Sequence, residues 1–294
     1  MILNISGRTD IIAFYSNWFQ KRYTEGFVDV RNPFNKNLVS RIYFDDVDAI
    51  LFCTKNPEPI ITFLPKIKQP IIFHVTLTPY KNDIEPYVPS KIKVIENIKK
   101  LSKILGKERI IIRYDPIFFS EKYDHKYHQK AFEKLCSLLD GYVEKIIISF
   151  LDEYKNVKKN QNILKTQPFT QKDYEFLGIV FSKIALQHHM TIQTCFEEKT
   201  LIEYGFIKGE CFSKELAFQL TGKTFKKWTA RKEGKCECVQ MVDIGSYNTC
   251  SHFCKYCYAN FDEKMVQKNT SLHDENSSLL IGHIKETDQI KVRK

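Results

Sequence analysis

Residues 109–116 read Arg109-Ile110-Ile111-Ile112-Arg113-Tyr114-Asp115-Pro116. Three isoleucines bounded by charge are too few for a buried helix, and their β-branched side chains suit a strand covered on both faces. The change to Arg, Asp and Pro marks where such a strand leaves the core. Five further runs share this form: Ile2–Ser6, Asp48–Cys53, Ile71–Leu77, Lys145–Phe150 and Thr191–Cys195. Between them lie stretches with helical spacing, clearest at Ala13–Tyr23, Lys91–Leu105, Tyr127–Leu139 and Lys172–His188. Asp124 is placed to cap the third, and Gly106 and Gly141 follow two helix ends.

Strands alternating with helices predict a parallel sheet with right-handed crossovers. Six such units within the first 195 residues are fewer than the eight of a full barrel. The expected fold is α/β: a partial (β/α)6 TIM-like barrel over residues 1–198, with a doubly wound open parallel sheet as the alternative. Residues 199–262 hold six of the nine Cys with little periodicity, and are expected to be a Cys-rich metal-binding appendage packed on the barrel mouth. Residues 263–294 read as a mobile polar tail with little core.

In either fold, function gathers at the carboxyl ends of the strands. Those ends carry Arg8 and Asp10, Lys55 and Asn56, Thr76, Arg113 and Asp115, Ser149, then Cys195 with Glu197 and Glu198. Arg8, Arg113 and Lys55 suit a carboxylate, ribose hydroxyls or an anionic substrate. Asp10, Asp115, Glu197 and Glu198 suit a ribose or an ammonium. Each is equally at home in an ion pair at the rim. His125, His128, His188 and His189 are expected at the surface.

The formal net charge of +10 favours anionic partners: nucleic acid, phosphorylated substrates or an acidic redox donor. The lysines are spread along the whole chain, which weakens that inference. No apolar run of about 18 residues exists, so no membrane helix is expected. The first ten residues lack the pattern of a secretory signal. A cytoplasmic address follows, where thiols stay reduced, so nine Cys point to metal rather than disulfides.

The sharpest feature is Cys250-Ser-His-Phe-Cys254-Lys-Tyr-Cys257. A tight loop with this spacing can aim three thiolates at one cubane, leaving one iron open for the amino and carboxylate groups of S-adenosylmethionine. Zinc is the competing reading: Cys236 and Cys238 with two later Cys, or with His252, would supply four ligands. Cys53 and Cys136 read as core thiols. Cys195, Cys211, Cys236 and Cys238 make a set for a second [4Fe–4S] cluster or an all-thiolate zinc site. Tyr247 and Tyr258 flank the loop, and Asp243-Ile-Gly245 precedes it as a placing turn.

Cys-x3-Cys-x-aromatic-Cys, with Tyr256 as the aromatic, resembles the signature of the radical S-adenosylmethionine superfamily. The resemblance implies a [4Fe–4S] cluster on Cys250, Cys254 and Cys257, S-adenosyl-L-methionine as cosubstrate, a partial (β/α)6 barrel and a reductant such as ferredoxin or flavodoxin. Superfamily members usually carry the motif after the first strand, where this chain has Ser6-Gly-Arg-Thr-Asp10. The chain also resembles a bacterial family known as a domain of unknown function with a Cys-rich C-terminus. SGRTDI (6–11), VRNPF (30–34), TKNP (54–57), RYDP (113–116) and DIGSYNTCSHFCKYCYAN (243–260) carry that likeness. P-loop, dinucleotide-binding and nucleophile-elbow motifs are absent. The expected activity is therefore a radical S-adenosylmethionine enzyme of unread substrate. The alternative is a non-catalytic zinc- or Fe–S-stabilised nucleic-acid-binding protein.

Overall fold

The computed structural model describes residues 1–207, 209–228 and 237–294. Each isoleucine-rich run becomes a strand of one parallel sheet. In chain order the elements are β1 (Ile2–Ile5), α1 (Ile11–Phe14), α2 (Ser16–Glu25), β2 (Phe27–Arg31), β3 (Leu38–Tyr43), β4 (Ala49–Thr54), β5 (Ile71–Thr76), α3 (Lys91–Leu105), β6 (Ile110–Ile117) and α4 (His125–Leu139). Then follow β7 (Lys145–Phe150), α5 (Lys155–Lys159), α6 (Gln161–Leu164), α7 (Gln171–Gln187), β8 (Thr191–Thr194), α8 (Lys214–Thr221), β9 (Met241–Asp243), α9 (Glu263–Thr270) and β10 (Gln289–Val292). Asp124 does cap α4, accepting from the Tyr127 amide, and a Thr170–Asp173 capping box starts α7. No described helix is long and apolar enough to cross a membrane.

The main sheet has the order β8-β7-β6-β5-β4-β1-β9, and every pairing in it is parallel. The order is consecutive along the chain apart from β9, and no strand pairing joins β8 to β9 among the described residues.

Because side chains alternate across a strand, each strand serves two cores. Leu3, Phe52, Phe73, Ile112 and Ile148 face the helices and pack with Trp18, Ile98, Phe132 and Phe181. Ile2, Leu51, Ile72, Ile111 and Ile147 face the other way and are covered by Phe212, Ala217, Val239 and Met241. The segment expected as an appendage is therefore built into the fold. Met241 and Val242 pair with Ile2 and Leu3, which closes a sheet edge that would otherwise expose unpaired backbone groups.

The tail differs from expectation in the same way. Beyond α9, β10 pairs in parallel with β3, and β3 pairs antiparallel with β2, giving a second sheet of three strands. Arg31 clamps Asp288 through two bonds of 2.6 and 2.7 Å, the Trp18 indole donates to the Ser277 carbonyl, and Leu279 and Leu280 are buried. The polar composition of residues 263–294 conceals this, because β10 contributes backbone bonds and its four side chains are exposed. Leu280→Ala should cost about 2–5 kcal/mol in urea denaturation, the usual loss for a packed leucine; a loss below about 0.5 kcal/mol would mean the tail is not part of the core.

His128 also departs from expectation. It is fully buried, with Nδ1 on the Tyr114 hydroxyl and Nε2 on the Phe118 carbonyl.

Candidate functional site

The sheet face turned away from the helices becomes polar toward the strand ends. Two residues beyond Ile2, Leu51, Ile72, Ile111 and Ile147 on that face come Asn4, Cys53, His74, Arg113 and Ser149, and Cys195 stands two beyond the buried Gln193. They line a cleft of about 380 Å³. Seven of the eight described cysteines line it; only Cys136 lies elsewhere, in the helix-side core. Cys53 thus belongs to the cleft, where its thiol donates to Asn4 Oδ1, and is not a plain core thiol.

Cys250, Cys254 and Cys257 all open into this cleft. Their loop is tied down by groups from across the chain. Asn156 Nδ2 donates to the carbonyls of Cys257, Tyr258 and Asn260 at 2.9–3.0 Å. Asn160 reaches the Lys255 carbonyl, and the Tyr15 hydroxyl reaches that of Thr249. His252 spends both ring nitrogens, one on Asp10 Oδ2 at 3.0 Å and one on the Tyr87 carbonyl. It thereby ties the cysteine loop to the first strand end and to the segment before α3.

Glu85, which nothing in the sequence singled out, is the centre of a second fastening. It is 1 % exposed and accepts from Lys55, Lys91, Thr78 and the Tyr256 hydroxyl of the cysteine loop. Burial works against its charge, but Lys55 and Lys91 outweigh it and hold the carboxyl far below its ordinary range. The two lysines respond oppositely. Burial opposes the charge of Lys55 too, yet Glu85 prevails and its pKa rises; for Lys91 burial prevails and its pKa falls. We take Glu85–Lys55 as the tight pair, since Lys91 is 31 % exposed and Lys55 12 %.

Asp10 is also committed to the protein. It caps α1 and accepts from Thr54 Oγ1 and the Lys55 amide, besides His252, so it works as a joint between strand ends and cysteine loop. Asp243 does the same for the first strand end, accepting from Ser6, Gly7, Asn4 and Gly245. Gly245 is required by contact rather than by its dihedrals: a Cβ there would lie 2.0 Å from Ser6 Oγ.

Arg113 binds Asp115 through Nε and Nη2 and points Nη1 at Cys211 Sγ, 3.2 Å away. Burial opposes its charge, but Asp115 and the nearby thiols raise its pKa well above normal. Cys195 and Cys211 have their sulfurs 2.7 Å apart, and Cys238 hydrogen-bonds Cys211. Cys236, the fourth of that expected set, lies outside the described residues. Ser149 and Thr76 line the cleft, and Arg8 reaches its mouth with its guanidinium 5.6 Å from the Tyr247 ring centre. Asn56 does not line it; its amide and side chain shape the turn after β4. Glu197 accepts from the Phe150 amide and Glu198 is exposed.

Among the described residues, no three His, Cys, Asp or Glu side chains converge closely enough to hold a single metal ion. A cubane asks for a wider triangle, because each cysteine binds a different iron. The donor chemistry of Cys250, Cys254 and Cys257 fits one. All three are thiols in one cleft, and Cys257 Sγ accepts from the Ala259 amide at 3.3 Å. Burial pushes the Cys254 thiol up to about 12, opposed by Lys55.

Fold and site together define a parallel α/β protein with a thiol-rich cleft at the carboxyl ends of its strands. The chain belongs to the family described as Domain of unknown function (DUF1848), whose model matches residues 2–259. No curated protein matches it. A similar solved structure, described as crystal structures of D-psicose 3-epimerase with D-tagatose from Clostridium cellulolyticum H10, is 11% identical with a TM-score of 0.41, over 91% of this chain and 94% of that one.

Proposed function

We propose that the cleft is the active site of a radical S-adenosylmethionine enzyme on a partial (β/α)6 barrel. One observation carries this reading: three cysteines near residue 250, spaced x3 and x2, open into the same cleft as Lys55, Arg113 and Asp115 from strand ends 135 or more residues earlier. The consecutive strand order, with α2, α3, α4 and α7 all on one face, supports the barrel part.

Cys250, Cys254 and Cys257 would hold a [4Fe–4S] cluster; the chemistry supplied there is one-electron cleavage of the cosubstrate's sulfonium to a 5′-deoxyadenosyl radical. Lys55, fixed by Glu85, keeps a positive charge beside Cys254. The Tyr256 hydroxyl anchors the loop at the same carboxylate. Arg8 presents a guanidinium at the mouth, suited to the methionyl carboxylate. Phe150, Leu151 and Met241 give the cleft apolar wall, which helps exclude water from reactive species. An acidic ferredoxin or flavodoxin would suit the basic surface.

Anaerobically reconstituted protein, given dithionite and S-adenosylmethionine, should release 5′-deoxyadenosine, read by chromatography. No release from protein carrying a reducible cluster would sink the proposal.

A further inference from the structure

A groove of about 710 Å³ continues from the cleft mouth past the β2–β3 hairpin. It shares Asn4, Gly7, Arg8, Ser149 and Tyr258 with the cleft, so a chain lying in it leads to the thiols. Its composition sets it apart. The protein has 45 Lys and Arg, of which eight are Arg and 37 Lys. Four of the eight, Arg8, Arg31, Arg113 and Arg293, line the groove, and no described lysine does. Arg is preferred over Lys where planar, bidentate contact with phosphate or stacking on rings is needed.

Six aromatic residues accompany them: Phe34, Tyr154, Phe196, Trp228, Tyr247 and Tyr258. Phe34 is 95% exposed, and its position is built: Asn32 Oδ1 accepts from the Phe34 and Asn35 amides, and Arg31, clamped to Asp288, holds the Lys36 carbonyl. Arg31 and Arg113 are occupied by Asp288 and Asp115. Arg8 and Arg293 have no carboxylate in salt-bridge range among the described residues; Arg293 remains for the groove's ligand, and Arg8, at the junction with the cleft, is open to it when no cosubstrate is bound. Asp152, Glu197 and Asp243 also line the groove; Asp243 is spent on Ser6, Gly7 and Gly245.

We propose that this groove binds a single strand of nucleic acid, with arginines on phosphates and exposed rings under bases. Rings interleaved with cations are the recurring design of such grooves, and the +10 net charge complements the ligand. An acidic protein partner would explain the charge but not the rings. Only the further step, that the bound strand is the substrate, rests on the radical-enzyme reading.

The test is fluorescence anisotropy of full-length protein with a labelled 12-nucleotide mixed-sequence strand, as DNA and as RNA, across a salt series. Binding of either strand is expected, weakening with salt. Arg293→Gln should flatten the log–log salt slope by about 0.7, the share of one phosphate contact on a single strand. Phe34→Ala should weaken binding roughly 5- to 100-fold, as loss of one stacked base does. Lys126→Gln, on the exposed side of α4, should change nothing. No binding of either strand, equal binding of polyglutamate, or an equal loss from Lys126→Gln would overturn the groove. Strand binding without 5′-deoxyadenosine release would reject the enzyme and leave the groove standing.

Discussion

Cys254→Ser should remove the broad absorbance near about 400 nm expected of a thiolate-bound cluster and lower 5′-deoxyadenosine release by more than about 100-fold, beyond what loss of an outer-shell partner costs. It should do so while far-UV circular dichroism stays unchanged and the melting temperature shifts by no more than about 3 °C, the scale of a change near 1 kcal/mol. The second half of that expectation comes from the way the cysteine loop is held. Asn156, Asn160, Tyr15, the Asp10–His252 pair and the Glu85–Tyr256 contact fasten it without any metal. A zinc site that folds its own segment behaves differently, because there the binding energy is the folding energy. Collapse of the C-terminal third on Cys254→Ser would favour that structural reading.

Glu85→Gln should lower the melting temperature by roughly 5–15 °C at pH 7. Removing one partner of a buried ion pair costs about 3–5 kcal/mol, since it strands the other charge away from water. Lys55 is the stranded group; Lys91 is exposed enough to turn toward solvent. Lys91→Met should therefore cost much less.

The pH dependence has a definite sign. The Glu85 carboxyl lies far below its ordinary range when folded and near about 4.3 when unfolded. Its contribution is complete above the unfolded value and is lost as pH falls toward the folded one. The melting-temperature gap between wild type and Glu85→Gln should stay constant from pH 8 to about 5 and narrow below about 4. A gap that widens in acid would contradict this assignment. Glu85→Gln should also loosen Tyr256, so cluster loading should fall with stability.

What could be read from the sequence was local. Runs such as Ile110–Ile112 and Lys145–Phe150 declare strands within a few residues, and Lys91–Leu105 forms a helix over the very span its spacing indicates. The motif cysteines carry their own geometry. Features made across the chain did not show. β9 is three residues long and is a strand only because the β1 edge waits for it. In the β2–β3 hairpin, a buried Asp29 is neutralised by Arg41, which blurs the alternation that marks a half-buried strand. Glu85 sits in a loop, and its partner Tyr256 is 171 positions away. One signal was available and missed: Cys53 stands two residues beyond Leu51, so strand parity puts its thiol on the face that ends in the cleft.

Iron, acid-labile sulfide and zinc per chain, measured on anaerobically purified protein, test the central claim most directly. The account predicts about four irons and four sulfides for each [4Fe–4S] cluster held by the thiols of the cleft, with zinc well below one. A colourless protein with stoichiometric zinc and no sulfide would contradict it.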